Sequence, residues 1–246
     1  TGPVEMAEHI HWLGKHWPGH VSVYPNAGLP VLVEGRTEYP LTAGPMAEAV
    51  ERFIENDGVG LIGGCCGTTP EHIGALAELA DGRAAPKRET APLKRSSTSL
   101  YGPVEHRQEN TFQIVGERCN ASGSRKFKRL LEEEDWDSII SMAKQQVREG
   151  SHVLDVNVDY AGRDNAEDMK EIVRRLVRQV DAPLMLDSTQ VKTLEAGLEC
   201  AAGRCILNSA NFEDGEEKFD EICRLISTFN AGLVIGTIDE DKEAAM

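Results

Sequence analysis

The sequence has few cysteines, an excess of acidic over basic residues and no long apolar run, and each of these excludes a class of protein. Six cysteines in 246 residues are too few for a disulfide scaffold. With no export signal at the N-terminus, we expect reduced thiols or metal ligands in a cytoplasmic protein. The 26 Lys and Arg against 41 Asp and Glu give a net charge of −15, which argues against a nucleic-acid partner because such partners need basic faces. No apolar run approaches the roughly 20 residues of a membrane-spanning helix, so we expect no membrane association.

The remaining composition is that of a globular protein, with 40% apolar and 27% charged residues. The chain starts at Thr1 without an initiator Met, which suggests a fragment or a processed chain. Composition changes between residues 83 and 110, where proline, serine and a locally positive charge replace the aliphatic residues. We interpret 83–110 as a linker that joins two globular parts, 1–82 and 111–246.

The second part contains five short aliphatic runs, each followed by polar residues. Nearly continuous aliphatic runs are typical of strands that are buried on both faces of a parallel sheet. A helical segment at 164–180, with Asp164 as its cap, separates two of them. The spacing fits the first five units of a (β/α)8 barrel, with a doubly wound open sheet as the alternative. The predicted strands are 112–116, 152–158, 183–187, 204–209 and 232–238.

The first part contains too few elements to close a barrel of its own. Its pattern predicts strands at 21–24 and 60–64 and helices at 3–17, 45–56 and 70–79. We interpret it as the C-terminal end of a larger domain. The predicted fold class is therefore α/β, with parts of two (β/α)8 TIM barrels joined by a linker.

Two adjacent cysteines, Cys65 and Cys66, follow the predicted strand at 60–64 in a glycine-rich segment. Adjacent thiols do not readily form a disulfide with each other, and zinc accepts thiolate ligands while a catalytic zinc keeps one of four positions open. Alternatively, two small apolar side chains could simply fill the end of a strand. The pair by itself leaves both interpretations open.

Polar residues also end the strands of the second part. Because the carboxyl ends of parallel barrel strands share one mouth, we expect these side chains to meet there. Carboxylates and carboxamides at one mouth can bind a flat heterocycle that has many donors and acceptors. The alternative for each residue alone is a turn or a helix cap. The residues are Glu117, Asn120, Asp155, Asn157, Asp187 and Asn208.

The segment 63–70, GGCCGTTP, resembles the zinc-binding end of the homocysteine S-methyltransferase family, and 22–30, SVYPNAGLP, resembles that family's preceding strand and loop. The resemblance implies that Cys65 and Cys66 are two of three zinc thiolates. It places the third cysteine a residue or two before Thr1, so we expect an incomplete Zn²⁺ site in this chain.

The segment 115–130, VGERCNASGSRKFKRL, with LDVNVD, MLDS and ILNS further on, is similar to the pterin-binding barrel of the cobalamin-dependent methionine synthase family. Cys119 stands where Thr is usual in that family. The resemblance implies a pocket for 5-methyltetrahydrofolate, with Asp155 and Asn157 beside it. Its lining residues are Glu117, Asn120, Gly123, Ser124, Arg125, Asp187 and Asn208.

The resemblance also implies a reaction, in which a methyl group passes from 5-methyltetrahydrofolate, through methylcobalamin, to zinc-activated homocysteine and gives methionine and tetrahydrofolate. Asn208 is the candidate for the contact with the pterin nitrogen, and Asp187 for fixing the ring. The cobalamin-binding domain is expected in the same polypeptide but outside this chain. The alternatives are a corrinoid-protein methyltetrahydrofolate methyltransferase and a truncated, non-catalytic folate-binding fragment.

Overall fold

The computed structural model describes residues 1–84 and 86–238. It divides the chain into two compact units, Thr1–Leu93 and Lys94–Met246. The division falls inside the segment 83–110 that the sequence suggests as a linker.

The first unit contains one pair of parallel strands with helices packed against it. Strand β1 pairs with β4, and Val23 and Phe53 belong to the buried cluster between this pair and the helices. Helix α2 ends at Asp57 and is followed by Gly58, which takes a left-handed conformation (φ 62°). Helix α3 begins with Pro70 after a capping box at Thr69. The elements are α1 (Pro3–His16), β1 (Ser22–Val23), β2 (Val31–Val33), β3 (Arg36–Glu38), α2 (Ala43–Asp57), β4 (Leu61–Ile62) and α3 (Pro70–Ala80).

The hairpin formed by β2 and β3 was not predicted from the sequence. Its strands pair in antiparallel fashion, and all six of their residues are exposed. Without a buried face, the hairpin has no alternation of apolar and polar residues that a sequence pattern could reveal.

The second unit begins with a short antiparallel hairpin and continues as alternating strands and helices. The hairpin, β5 with β6, lies within the segment predicted to be a linker. The elements are β5 (Ser96–Thr98), β6 (Pro103–Glu105), β7 (Val115–Asn120), α4 (Arg125–Glu132), α5 (Trp136–Arg148), β8 (Val153–Asn157), α6 (Asn165–Gln179), β9 (Leu184–Asp187), α7 (Val191–Cys200), β10 (Ile206–Ala210), α8 (Glu216–Phe229) and β11 (Gly232–Ile235).

Strands β7 to β11 form one parallel sheet in which the order of the strands follows the chain. A doubly wound sheet reverses its strand order at a switch point, and the described strands show no reversal. Alternate strand residues belong to different clusters: Leu154 and Val156 pack with the helices, whereas Val153 and Met185 belong to a separate cluster. The predicted α/β fold with a parallel sheet is confirmed, and the described strands do not have the strand order of the doubly wound alternative.

The first predicted strand of this sheet is displaced. It lies at Val115–Asn120 rather than at 112–116, and Phe112 is 89% exposed. The strand runs on through the polar sequence Gly-Glu-Arg-Cys-Asn, whose backbone pairs with β8. The other four strands lie within or close to their predicted ranges.

Helix α6 agrees with the periodicity of its sequence. Asp164 caps it by accepting a hydrogen bond from the backbone N–H of Glu167 at 3.2 Å. Met169, Ile172 and Leu176 are fully buried against the sheet. Among the described residues, none of the helices combines the length and the apolar character that crossing a membrane requires.

Candidate functional site: the carboxyl edge of the parallel sheet

Four polar residues occupy one row across the carboxyl ends of neighbouring strands. Asn120 is paired in register with Asn157, Asn157 with Asp187, and Asp187 with Asn208. Residues paired in register across parallel strands direct their side chains to the same face of the sheet. The row therefore brings together side chains from β7, β8, β9 and β10.

Asn120 joins the two aspartates of this face. Its Nδ2 atom donates to Oδ2 of Asp155 at 2.9 Å and to Oδ2 of Asp187 at 3.0 Å. Asp155 precedes Asn157 by two residues on β8, so its side chain is on the same face of the sheet, and it is paired with Met185 of β9. One amide thus supplies both of its hydrogens to a pair of carboxylates that would otherwise repel each other.

The loop after β7 is held by the same asparagine. Oδ1 of Asn120 accepts hydrogen bonds from the backbone N–H groups of Ser122 at 2.9 Å and Gly123 at 3.0 Å. Ser124 caps α4 by accepting from Phe127 N at 3.2 Å, and Arg125 is the exposed first residue of that helix. The structure thereby places Gly123 and Ser124 in contact with Asn120, and Arg125 follows them at the start of α4.

Burial and mutual repulsion change the acidity of both aspartates. Burial is the main cause that raises the pKa of Asp155 to about 6; Asp187 and Glu117 add repulsion, and the Asn120 and Asn208 side chains oppose it. Burial likewise raises the pKa of Asp187, although the Asn157 and Asn120 amides favour its charged form. Glu117 is exposed but lies near enough to act on both groups.

One oxygen of this site has no partner among residues 1–84 and 86–238. Asp155 is 2% exposed, and within that part of the chain its buried Oδ1 atom accepts no hydrogen bond. A buried polar atom of this kind costs free energy unless a ligand or an ordered water satisfies it. A cavity of about 130 Å³ lies beside Asp187 and Asn208. The edge therefore offers carboxylate acceptors and carboxamide donors to a flat polar ligand.

Asp159, Ser188 and Thr189 support the site and were not assigned a role from the sequence. Asp159 accepts hydrogen bonds from Ser188 Oγ at 2.7 Å, Thr189 N at 2.8 Å and Thr189 Oγ1 at 3.0 Å. These bonds fix the loop that follows Asp187. In the segment LDVNVD, residues 154–159, polar and apolar residues alternate up to Asp159. This alternation is the sequence signal that could have identified Asp159 as part of the site.

The thiols of Cys65 and Cys66 form a second candidate site, in the first unit. Their sulfurs are 3.8 Å apart and both residues are exposed. Two sulfurs bound to one tetrahedral zinc at about 2.3 Å each would lie about 3.8 Å apart. The pair therefore fits two corners of a zinc site.

Backbone contacts hold this pair against the loop after β1. Cys65 N donates to Pro25 O at 3.0 Å, and Cys66 N donates to the side-chain Oδ1 of Asn26 at 3.2 Å. The ring of Tyr39 fills the position that a side chain at Gly67 would need, and its pKa is raised by burial and then by Cys66. Gly67, at φ 78°, meets both the conformational and the steric requirement of this turn.

A third metal ligand is not found among residues 1–84 and 86–238, where no group of three or more His, Cys, Asp or Glu side chains could hold a metal. His72 does not substitute for one. Its Nδ1 atom contacts Thr69 Oγ1 at 2.9 Å and its Nε2 atom contacts Leu41 O at 2.8 Å. Both ring nitrogens are therefore engaged, one at the start of α3 and the other with the segment before α2.

Two known families match different parts of this chain, and the boundary between the two structural units, after Leu93, falls between the matched parts. The family model described as pterin binding enzyme matches residues 116–246, and the model for homocysteine S-methyltransferase matches residues 1–80. The chain belongs to the pterin binding enzyme family.

Individual relatives match almost the whole chain. Methionine synthase of Mycobacterium tuberculosis is 44% identical over 247 residues, which is 99% of this chain and 21% of the relative. Methionine synthase of Mycobacterium leprae is 43% identical over 251 residues, with the same coverage. The chain thus spans about a fifth of the length of these curated relatives.

One solved structure found to be similar to this chain is a dihydropteroate synthase of Xanthomonas albilineans in complex with indole-2-carboxylic acid and 6-chloroguanine. It is 16% identical and has a TM-score of 0.35, covering 50% of this chain and 42% of that one.

Proposed function

We propose that this chain is part of a methionine synthase, in which a methyl group moves from 5-methyltetrahydrofolate by way of cobalamin to zinc-activated homocysteine, giving methionine and tetrahydrofolate. The observation that carries the proposal is the row Asn120, Asn157, Asp187 and Asn208, together with the buried Oδ1 atom of Asp155, which accepts no hydrogen bond from the residues that the structure describes. The 44% and 43% identities to two methionine synthases support it.

In this proposal, the sheet β7–β11 is the first five strands of a (β/α)8 barrel, and the first unit is the end of another. The chain order of the strands and the packing of helices against alternate strand residues are typical of that fold. The proposed domains are 1–82 for homocysteine and zinc, 83–110 as the connection, and 111–246 for the pterin.

The sheet edge would bind the pterin through its own donors and acceptors. The carboxylates of Asp155 and Asp187 accept hydrogen bonds from the amino-pyrimidine part of the ring, and Asp187 fixes its orientation. Asn208 donates to the pterin nitrogen that loses the methyl group. An amine is a poor leaving group, so a donor at that nitrogen stabilises the charge that develops as the bond breaks. Glu117, Asn120, Gly123, Ser124, Arg125 and Asn157 complete the proposed lining.

Cys65 and Cys66 would hold the zinc, with further ligands from outside the described residues. Bound zinc supplies a cation that keeps the homocysteine sulfur as a nucleophilic thiolate at neutral pH. The backbone hydrogen bonds to Pro25 O and Asn26 Oδ1 orient the two cysteines. The thiol pair and the match of residues 1–80 favour this assignment over a corrinoid-protein methyltransferase that lacks homocysteine chemistry.

Cobalamin would be held by a domain of the same polypeptide outside this chain, and the proposed location is the cytoplasm. A folate-binding segment without catalysis of its own is the alternative, and the partial zinc site favours it for the 246-residue chain alone. The proposed reaction is therefore assigned to the whole protein.

The two half-reactions of the whole protein test the proposal. Asp187→Ala and Asn208→Ala should each slow methyl transfer from 5-methyltetrahydrofolate to cobalamin at least tenfold and leave methylation of homocysteine unchanged. Cys66→Ser should give the opposite pattern. Equal loss in both half-reactions for all three variants would reject the division of labour between the two units.

A further inference from the structure

The strand β7 contains an irregularity that changes which of its side chains reach the sheet edge. Val115 and Gly116 pair with Val153 and Leu154, and the pairing resumes with Cys119 opposite Val156. Glu117 and Arg118 therefore share the single position opposite Asp155. This is the arrangement of a β-bulge, in which two residues on one strand oppose one residue on its neighbour.

The bulge reverses the alternation of the strand. Val115 packs with the cluster that contains Val153 and Met185, on the same face as the polar row. Strict alternation from Val115 would direct Cys119 to that face and Asn120 to the helices. Instead, Cys119 is fully buried in the cluster that includes the helices, and Asn120 bonds both aspartates.

Glu117 and Asn120 can act at the same site only because of this reversal. They are separated by an odd number of positions, which in a regular strand would place them on opposite faces. In the structure, Glu117 influences the pKa of both Asp155 and Asp187, and Asn120 donates to both.

A buried glutamine on α5 satisfies the backbone of the bulge. Oε1 of Gln146 accepts a hydrogen bond from Arg118 N at 2.8 Å, and its Nε2 atom donates to Cys119 Sγ at 3.3 Å. Gln146 is 2% exposed. A side chain at Gly116 would stand 2.8 Å from Gln146 Oε1, so the glycine gives the amide room to approach the strand.

We propose that Gln146 is a positioning residue of the folate site: by accepting from Arg118 N and donating to Cys119 Sγ, it holds the bulge that brings Asn120 to the same edge of the sheet as Glu117. This inference rests on the proposed folate function. It assigns a role in binding to a residue on the helix side of the sheet, which touches no ligand itself.

Three substitutions in the whole protein test the proposal by equilibrium binding of 5-methyltetrahydrofolate. Gln146→Met keeps the approximate length of the side chain and removes the amide, and it should weaken binding about tenfold because Arg118 N loses the acceptor that holds the bulge. Gln146→Glu keeps an acceptor for Arg118 N but, when ionised, cannot donate to Cys119 Sγ, so it should weaken binding less than Gln146→Met does. Gln145→Met, at the neighbouring position whose amide bonds Glu149, is the matched control and should bind normally.

A double-variant comparison separates positioning from general stability. On the background of Asn120→Ala, Gln146→Met should cause little further loss, because it acts partly through Asn120. If Gln146→Met does not fold, Gln146→Asn, which shortens the reach by one methylene, takes its place with the same expectation.

The outcomes distinguish this inference from the function on which it rests. Weaker binding in Asn120→Ala with normal binding in Gln146→Met or Gln146→Asn would overturn the role of Gln146 alone. Equal losses for Gln146→Met and Gln146→Glu would also overturn it. Normal binding in Asn120→Ala would overturn the folate assignment itself, and the inference with it.

Discussion

The amide nitrogen of Asn120 lies 3.0 Å from Oδ2 of Asp187, a residue 67 positions further along the chain. The two residues end strands that are not neighbours, since β8 lies between β7 and β9. The same nitrogen also reaches Asp155. Asn120 is therefore the group that holds the carboxylates of two strands together.

Replacing Asn120 by aspartate should disable this edge. Asn120→Asp removes both donated hydrogen bonds and adds a third carboxylate next to Asp155 and Asp187, which repel it. We expect binding of 5-methyltetrahydrofolate to weaken at least tenfold at pH 7.5 and to recover partly near pH 5.5, where carboxylates with raised pKa values take up protons. Calorimetric titration at both pH values measures this. Asn110→Asp, at an exposed position away from the strand ends, is the control, and equal behaviour of the two variants would contradict the prediction.

Much of this edge could be predicted from the sequence because it rests on local patterns. Short aliphatic runs predict the strands, and a polar residue after each run places Asp187 and Asn208 at a shared edge. The capping role of Asp164 follows from its position before a periodic segment.

The exact set of contacts could not be predicted, for two physical reasons. The bulge in β7 is hydrogen-bonded to Gln146, 28 positions further along the chain, a contact that no local pattern reveals, and the polar run at 116–120 did not resemble a strand. The exposed hairpin β2–β3 and the hairpin β5–β6 have no apolar face of the kind that creates a periodic signal. Periodic sequence patterns arise from the burial of apolar side chains. The bulge and the two hairpins are instead formed by backbone hydrogen bonds, which leave no such pattern.

Asp155 should make the stability of the second unit depend on pH. Its pKa is raised from 3.8 to about 6, so the folded state binds a proton more tightly than the unfolded state does. The folded state is therefore favoured below about pH 4 and loses that advantage as the pH rises to about 6. Asp155→Asn removes the buried charge and should increase the free energy of unfolding at pH 7.5 by at most about 3 kcal/mol.

Denaturant unfolding at pH 4 and pH 7.5 checks this difference. The gain of Asp155→Asn over the parent should be larger at pH 7.5 than at pH 4. Asp220→Asn, an exposed aspartate on α8, should show no such change. A gain that is the same at both pH values would rule out the burial of a charge as the cause.

The thiol pair should determine metal binding in the first unit. Cys65→Ser and Cys66→Ser each remove one sulfur ligand, and zinc prefers thiolate over hydroxyl ligands. We expect each substitution to weaken zinc binding by the whole protein at least tenfold, measured by competition with a chelator of known affinity. Cys223→Ser, at a half-buried position on α8, should leave zinc affinity unchanged. Unchanged affinity in both Cys65→Ser and Cys66→Ser would contradict the assignment.

Arg88 should stabilise the first unit by closing the C-terminal end of α1. Its guanidinium donates to Trp17 O at 3.1 Å, Gly14 O at 3.2 Å and Gly19 O at 2.5 Å. Carbonyl groups at a helix end have no partner within the helix, so a cation there satisfies them and interacts favourably with the helix dipole. Arg88→Met should lower the free energy of unfolding by about 2 kcal/mol.

Thermal or denaturant unfolding of the chain measures this loss. Lys87→Met, the exposed neighbour, removes a charge of the same sign and should change stability by less than about 0.5 kcal/mol. Equal effects of the two substitutions would show that Arg88 acts through net charge rather than through these hydrogen bonds.

The most direct test of the central claim is equilibrium dialysis of labelled 5-methyltetrahydrofolate against the whole protein and its Asp187→Ala and Asn208→Ala variants, with Asn110→Ala as the control. The account predicts one saturable site in the parent and in Asn110→Ala, with affinity reduced at least tenfold in each of the other two variants. Equal affinity in all four proteins would contradict the claim that the carboxyl edge of the parallel sheet binds the folate.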